Sequence, residues 1–131
     1  MIPQWVKNKN KGYIVESGSN SKGEYIKFSD GNMICKGKKK FTNVAVTATW
    51  GNFYTSGDNI LTFDDFAQDF SEIPIVTVAP VSYDGSGGNF FVITNLSKSV
   101  SKKNAGGFQV GRGTSATQTV ILSYIAIGKW K

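Results

Sequence analysis

The sequence predicts an all-β domain built as an antiparallel β-sandwich. Short runs of apolar and β-branched residues recur along the chain, and turn-forming stretches rich in Gly, Asp and Asn separate them. No stretch repeats its apolar residues at the period of an amphipathic helix, and residues 64–70 have room for one helical turn at most. Many short strands between Gly-rich turns are typical of sandwiches and barrels.

Size and composition indicate one folded unit. The chain has 131 residues, of which 40% are hydrophobic and 18% are charged, a balance too apolar for a disordered chain. Residues 1–22 are rich in Lys, Asn, Gly and Ser, so we expect a linker or a shaft end there and a head domain over residues 23–131. Cys35 is the single cysteine, which excludes an internal disulfide, so stability must come from packing or from partner chains.

The first predicted strands form a hairpin over residues 24–35. Its centre is Asp30-Gly31, a dipeptide that two-residue turns prefer because of its positive φ angles. Such a turn pairs four residues on one face of the hairpin: Phe28 opposite Met33, and Ile26 opposite Cys35. The other face then carries Tyr25, Lys27 and Lys36.

Further strands are predicted along the rest of the chain. Alternation over residues 44–50 predicts one with its core side formed by Val44, Val46, Ala48 and Trp50. Six more apolar or β-branched runs follow at residues 53–55, 60–63, 75–78, 90–96, 108–110 and 119–127. The last run is apolar on both faces, whereas a sandwich strand normally turns one face to water. Its second face is covered either by a loop or by identical strands in an oligomer, and we expect the oligomer.

The chain has no histidine, the usual general base and the commonest transition-metal ligand. We therefore expect no enzyme, with no catalytic residue, no metal and no cofactor. The longest apolar stretch, residues 73–81, is far shorter than the roughly 20 residues of a membrane span, so we expect no membrane insertion. Residues 1–7 lack an apolar signal region, which predicts synthesis in the cytoplasm without classical export.

The formal net charge of +6 predicts an anionic partner. Most lysines fall in three turns without the interleaved aromatic residues of a nucleic-acid motif, so we do not expect nucleic acid. The lysine run at residues 36–40 is either a solvated turn or an electrostatic footing for an anionic wall polymer. The acidic cluster comprises Asp64, Asp65, Asp69 and Glu72. We expect a surface loop there, with a calcium site or paired carboxylates for glycoside hydrolysis as alternatives.

Several motifs resemble those of phage tail-fibre proteins. The run GEYIKFSDGNMICKG at residues 23–37 resembles a segment near the ends of phage and prophage tail fibres. Three later motifs are similar to the terminal domain that these fibres share with H-type lectins: Phe66-x3-Phe70-x3-Pro74-x-Val76-x-Val78, Gly107-Phe108-x-Val110 and Tyr124-Ile-Ala-Ile-Gly128. Together the motifs span residues 23–128.

The resemblance implies a receptor-binding head with an H-type lectin-like sandwich of about six core strands. It also implies a homotrimer that belongs to the bacteriophage virion and attaches it to a host-cell glycan or anionic wall polymer. The chain departs from the fibre motif at Lys36, where tryptophan is common, and it lacks the histidine often found in snail-type lectin sugar sites. The resemblance therefore supports the predicted fold and assembly more strongly than it supports any sugar-binding residue in this chain.

Arg112 is the first candidate for contact with a receptor. It is the only arginine, and it lies between two glycines in a predicted loop, where its planar guanidinium suits a carboxylate, a phosphate or a sugar hydroxyl. A solvated loop charge is the alternative. Tyr83 and Asp84 open the Gly-rich loop that runs to Asn89, and they offer a stacking surface and an acceptor, or a plain turn.

Trp50, Tyr54 and Trp130 are the aromatic candidates for stacking on a sugar. Core or interface packing is the alternative for all three, and we expect Trp130, next to the C-terminus, to be the most exposed.

The sequence leaves three candidate functions open. The leading one is a receptor-binding module in which three weak sites act together by avidity. The others are a purely structural trimerisation tip of a fibre and a small polysaccharide depolymerase that uses the acidic cluster.

Overall fold

The computed structural model describes residues 12–84, 90–95 and 98–131, with the side chains of 82–84 and 95 left out. Within them the chain forms ten strands: β1 (Ile14–Asn20), β2 (Gly23–Phe28), β3 (Asn32–Val46), β4 (Ala48–Trp50), β5 (Phe53–Thr55), β6 (Leu61–Thr62), β7 (Ile75–Asp84), β8 (Phe91–Asn95), β9 (Gly107–Arg112) and β10 (Ala116–Lys129). Every strand pair is antiparallel, which confirms the all-β antiparallel prediction. Three of the ten strands, β4 to β6, have only two or three residues. No described helix is long and apolar enough to cross a bilayer.

The first sheet is centred on the two longest strands. Its order is β1-β2-β3-β10-β7, and β3 pairs with β10 from Asn32 opposite Lys129 to Val46 opposite Ala116. Every second residue of β10 between positions 118 and 126 is buried, whereas Ile125 is 51% exposed. The described residues therefore cover the second face of this strand only in part, and Ile125 and Ile127 remain exposed.

The second sheet packs its inner face on the first. Its order is β4-β5-β9-β6, and β8 pairs with the other edge of β9. The shared core contains residues of β3 and β10, residues of β6 and β9, and phenylalanines from the segment between β6 and β7. The ring of Phe63 from this segment meets the rings of Phe108 and Tyr124 edge to face, at centroid distances of 5.8 and 4.8 Å. Two facing sheets over one core are consistent with the predicted sandwich.

The hairpin between β2 and β3 forms at the predicted place with a different register. Tyr25 lies opposite Cys35, where the sequence analysis placed Ile26, so the predicted register is wrong by one residue. The loop holds three residues, 29–31, instead of two: the amide of Gly31 donates to the carbonyl of Phe28 at 3.0 Å, and Gly31 has a φ of 93°. A shift of one residue moves each side chain of β2 to the opposite face.

Two more segments differ from the sequence-based expectation. Residues 14–20, expected to belong to a connector, form β1 and pair with β2 along their length. The strand expected over residues 44–50 is divided between the sheets. Val44 and Val46 end β3 and are buried, whereas Trp50 belongs to β4 and is exposed. The chain passes from one sheet to the other at Thr47, and the alternation of buried residues stops there because the next strand faces a different neighbour.

Candidate ligand-binding surface

A cavity of about 350 Å³ lies beside Trp50 on the second sheet, and we call it the Trp50 cavity. Its walls come from β4, from β5 and the turn that follows it, and from β8 and β9: Ala48, Thr49, Trp50, Thr55, Gly57, Asp58, Ile60, Ile93 and Gln109. Trp50 is 58% exposed and Asp58 is exposed as well. An open indole face, a carboxylate and an amide side chain together suit a sugar, which offers C–H faces for stacking and hydroxyls for hydrogen bonds.

Local backbone geometry holds the walls of the Trp50 cavity in place. Gly51 follows Trp50 and adopts a φ of 59°, which lets β4 turn directly into β5. Gly57 has a φ of 60°, and its amide donates to Oγ1 of Thr55 at 3.1 Å. Its carbonyl accepts a hydrogen bond from the side-chain amide of Gln109, which ties the turn to β9.

Exposed aromatic side chains continue on the second sheet beyond Trp50. Phe53, the cross-strand partner of Trp50, is 48% exposed, and its ring meets that of Phe91 edge to face at a centroid distance of 5.5 Å. The ring of Phe91 lies directly over Gly111, and a Cβ on residue 111 would collide with that ring. Large exposed aromatic residues grouped on one surface typically mark a contact site.

Arg112 is buried rather than solvated. It is the last residue of β9 and is 7% exposed, and its Nη1 donates to Oε1 of Gln118 at 3.0 Å. Gln118 is itself 3% exposed in β10, and Tyr54 lies opposite Arg112 in β5. The guanidinium thus joins β9 to β10, and its contact with a receptor stays a prediction.

Trp130 is half-buried, contrary to the expectation that it is the most exposed of the aromatic candidates. Its Nε1 donates to the carbonyl of Phe28 at 2.9 Å, and the Nζ atoms of Lys27 and Lys131 lie 5.3 and 4.9 Å from its ring centroid. These contacts fasten the end of the chain to the β2–β3 hairpin. Tyr54 is also half-buried against the core, which leaves Trp50 as the open aromatic face among the three.

The remaining candidates lie at the edge of the described structure. Tyr83 and Asp84 end β7, where their backbones pair with Val120 and Thr119. Their side chains, and the whole of Asn89, lie outside the described residues. Their contact with a ligand stays a prediction.

The four acidic residues at positions 64–72 have separate surroundings. Asp64 and Asp69 form ion pairs with different lysines at 3.5 and 3.7 Å, and Asp65 accepts a hydrogen bond from Nδ2 of Asn104 at 3.1 Å. Glu72 is exposed. In the part of the chain that the structure describes, no three Cys, His, Asp or Glu side chains are grouped closely enough to hold a metal ion. The arrangement therefore fits the surface-loop interpretation.

Asp58 and Gln109 line the cavity, although neither is among the candidate residues predicted from the sequence. Asp58 is part of a Gly-Asp-Asn turn, and turn chemistry alone accounts for it. Gln109 is a polar residue between Phe108 and Val110, a pattern that indicates the outer face of a strand. The outward orientation of Gln109 could therefore be predicted from the sequence. Its position near Trp50 could not, because that position follows only from the pairing of β9 with β5 and β8.

No protein-family model and no curated protein matches this chain. Among solved structures, it is similar to an N-truncated R1-type pyocin tail fibre. The sequence identity is 18%, the match covers 98% of each chain, and the TM-score is 0.44. That TM-score is too low to establish a common fold.

Proposed function

We propose that the chain is the receptor-binding head of a phage tail fibre or tail tip. In this proposal it belongs to the virion, attaches as a homotrimer to a bacterial surface glycan or wall polymer, and catalyses no reaction. The resemblance of residues 23–128 to fibre heads supports the fibre assignment. The Trp50 cavity supports the choice of a glycan.

The exposure of Trp50 is the observation that carries the binding proposal. An indole that is 58% open beside Asp58 and Gln109 offers an apolar stacking face with hydrogen-bonding groups at its edge. A cavity of about 350 Å³ holds a small part of a glycan, so each copy contributes a modest affinity. Three copies that engage one surface then convert modest affinity into firm attachment.

Replacing Trp50 with Ala tests the binding proposal. We expect binding to bacterial cell walls to weaken about tenfold or more, because loss of a central aromatic contact typically costs at least about 1.4 kcal/mol. The measurement is biolayer interferometry of the domain on a panel of isolated cell walls and immobilised glycans.

Tyr13→Ala is the matched control, since Tyr13 is an aromatic residue that is 41% exposed beside the first sheet. It should bind as the wild type does, and both variants should unfold at the wild-type temperature. Equal binding by Trp50→Ala and the wild type would remove the Trp50 cavity from the site. A wild-type domain that binds no wall and no glycan would contradict receptor binding altogether.

An isoleucine row on the outer face of the first sheet supports the homotrimer. Cross-strand pairing aligns four isoleucines over β2, β3, β10 and β7: Ile26, Ile34, Ile127 and Ile75. Ile75 is 78% exposed and Ile127 is 51% exposed. A contiguous apolar patch of this kind is typical of a surface that another protein chain covers.

A purely structural fibre tip is the second candidate, and the isoleucine row favours it equally. In that case the domain assembles three chains and contacts no receptor. The cell-wall measurement separates the two candidates, because a structural tip forms the oligomer and is retained on neither walls nor glycans.

A further inference from the structure

A second cavity, of about 560 Å³, lies on the first sheet, at the point where the pairing of β2 with β3 ends. β2 pairs with β3 only as far as Glu24 opposite Lys36, whereas β3 continues to Val46. From Gly37 onward, no strand in the described ranges pairs with this edge of β3. The turn between β1 and β2 closes one side of the gap, and β10 lies on the other. We call this cavity the β3 notch.

The turn that walls the β3 notch is held in place from both sides. Gly23 has a φ of 144°, and a Cβ there would collide with the carbonyl oxygen of Lys36, so the turn lies directly against β3. Asn20 braces the turn: its Oδ1 accepts the amide of Lys22 at 2.9 Å, and its Nδ2 donates to the carbonyl of Ala67 at 3.3 Å. The notch is therefore formed before any ligand arrives, which lowers the entropic cost of binding.

The charges around the β3 notch are unbalanced. Lys22, Lys36 and Lys38 line it, with Glu24 as the acidic residue. Glu24 forms an ion pair with Lys36 at 3.0 Å. Lys22 and Lys38 make no ion pair with any residue in the described part of the chain. Two uncompensated ammonium groups beside one cavity favour an anion there.

The other walls of the β3 notch are suited to an alcohol-rich chain. Ser19 and Ser21 present hydroxyls from the side of the turn, and both are exposed. Ile125, 51% exposed, provides an apolar wall on β10. A ligand that combines anionic groups, hydroxyls and a carbon backbone matches all three kinds of wall.

We propose that the β3 notch binds an anionic, hydroxylated segment of a surface polymer. Lys22 and Lys38 contact its phosphate or carboxylate group, Ser19 and Ser21 contact its hydroxyls, and Ile125 packs on its carbon backbone. This inference rests on the proposed function, because it takes the polymer to be the receptor. It assigns a separate subsite, since the notch and the Trp50 cavity share no residue.

The test is the double variant Lys22→Gln/Lys38→Gln in the full chain. The probes are poly(glycerol phosphate), an oligogalacturonate and neutral dextran, with binding measured by isothermal titration calorimetry at two salt concentrations. We expect the wild type to bind an anionic probe and not dextran, and to bind less well at high salt. The double variant should bind about tenfold more weakly, as expected for the loss of two exposed charge contacts. The preferred probe distinguishes phosphate from carboxylate as the recognised anion.

Lys98→Gln/Lys102→Gln is the matched control, because it removes the same charge from exposed lysines that lie outside the notch. It should bind almost as the wild type does. An equal loss in both double variants would overturn the inference, since net charge alone would then explain the binding. Failure of the wild type to bind either anionic probe would also overturn it, as would tighter binding of single-stranded DNA than of both polymers.

Failure of the notch and failure of the proposed function give different results. If the notch variant is retained on cell walls as well as the wild type while Trp50→Ala is not, the receptor-binding proposal stands and the notch is not a subsite. If the wild type binds an anionic probe through the notch but no cell wall, the subsite stands and the receptor-binding proposal fails.

Discussion

Tyr124 occupies the centre of the core and carries an unusual polar atom for that position. It is 2% exposed, and its ring packs against Phe63 and Phe66 at centroid distances of 4.8 and 5.6 Å. The ring also covers Gly37, where a Cβ would lie 2.7 Å from it. Its hydroxyl is buried and has no hydrogen-bond partner among the described residues. Burial raises the pKa of Tyr124 to about 12.

Tyr124→Phe should therefore leave the fold at least as stable as the wild type at pH 7, with a gain of up to about 1 kcal/mol, because it removes an unsatisfied buried group. The folded-state pKa of about 12 lies above the unfolded value near 10, so below pH ~10 the phenol is neutral in both states and its ionisation does not change stability. As the pH rises from 10 toward 12, the phenol ionises in the unfolded state before it ionises in the folded state, so wild-type stability should fall by roughly 2 kcal/mol relative to the variant. Urea unfolding at pH 7, 9, 10 and 11 measures this. Tyr54→Phe is the control, and an identical alkaline loss in Tyr124→Phe would contradict the prediction.

The β2–β3 hairpin shows what an element-level pattern can and cannot specify. Asp30-Gly31 marked the turn correctly, because few dipeptides tolerate the required backbone angles. The pattern did not distinguish a two-residue from a three-residue loop, since both use a glycine with positive φ. The apolar residues of β2 do not distinguish between the two registers, because Ile26 and Phe28 fit the outer face of the sheet as well as the inner one. The outer face of this sheet is itself apolar along the isoleucine row.

Gly31→Ala should destabilise the hairpin by about 1–2 kcal/mol, because alanine is strained at a φ of 93°. Space is not the cause, since a Cβ there would make only an ordinary 3.5 Å contact with Lys131. Gly113→Ala is the matched control, as its Cβ would have no neighbour within 4 Å and its φ is not positive. Thermal unfolding followed by circular dichroism measures both variants. Equal melting temperatures would show that position 31 does not need glycine.

Candidate ligand contacts were harder to predict than strands. Val44 and Val46 could be assigned to the core because alternation reports burial locally. Exposure of Trp50, by contrast, depends on the change of sheet at Thr47, and burial of Arg112 depends on its contact with Gln118 in the next strand, which belongs to the other sheet. The alternation of residue types does not show which sheet a strand joins, so the burial of Arg112 and the exposure of Trp50 could not be predicted from it.

At the scale of the whole molecule, the outer face of the first sheet differs from an ordinary solvated surface. The isoleucine row crosses four of its five strands, and Lys36 and Lys38 follow on the same face of β3. Burial of the exposed parts of Ile75 and Ile127 is worth about 2–4 kcal/mol per chain, a useful share of the free energy that holds an oligomer together. The apolar half of this face suits contact between subunits, and its basic half lies nearer the β3 notch.

Substitution of two isoleucines on this face tests the assembly. We expect light scattering coupled to size exclusion to give a trimer for the wild type and a monomer for Ile75→Lys/Ile127→Lys, because lysine at both positions places charges within the contact. Ile14→Lys is the control, since Ile14 is 58% exposed on β1 away from the isoleucine row. A wild-type monomer, or a trimer that survives the double substitution, would contradict assembly through this face.

The edge of β3 beyond Gly37 also bears on the solubility of the chain. An unpaired strand edge is a template on which another molecule can add a strand and begin aggregation, and closely spaced lysines are a common defence against that addition. Lys38 and Lys40 are exposed on this stretch and repel an approaching copy of the same basic edge. A polymer that neutralises Lys38 weakens this charge repulsion. The bound polymer must therefore also cover the strand edge, so that no other chain pairs with it.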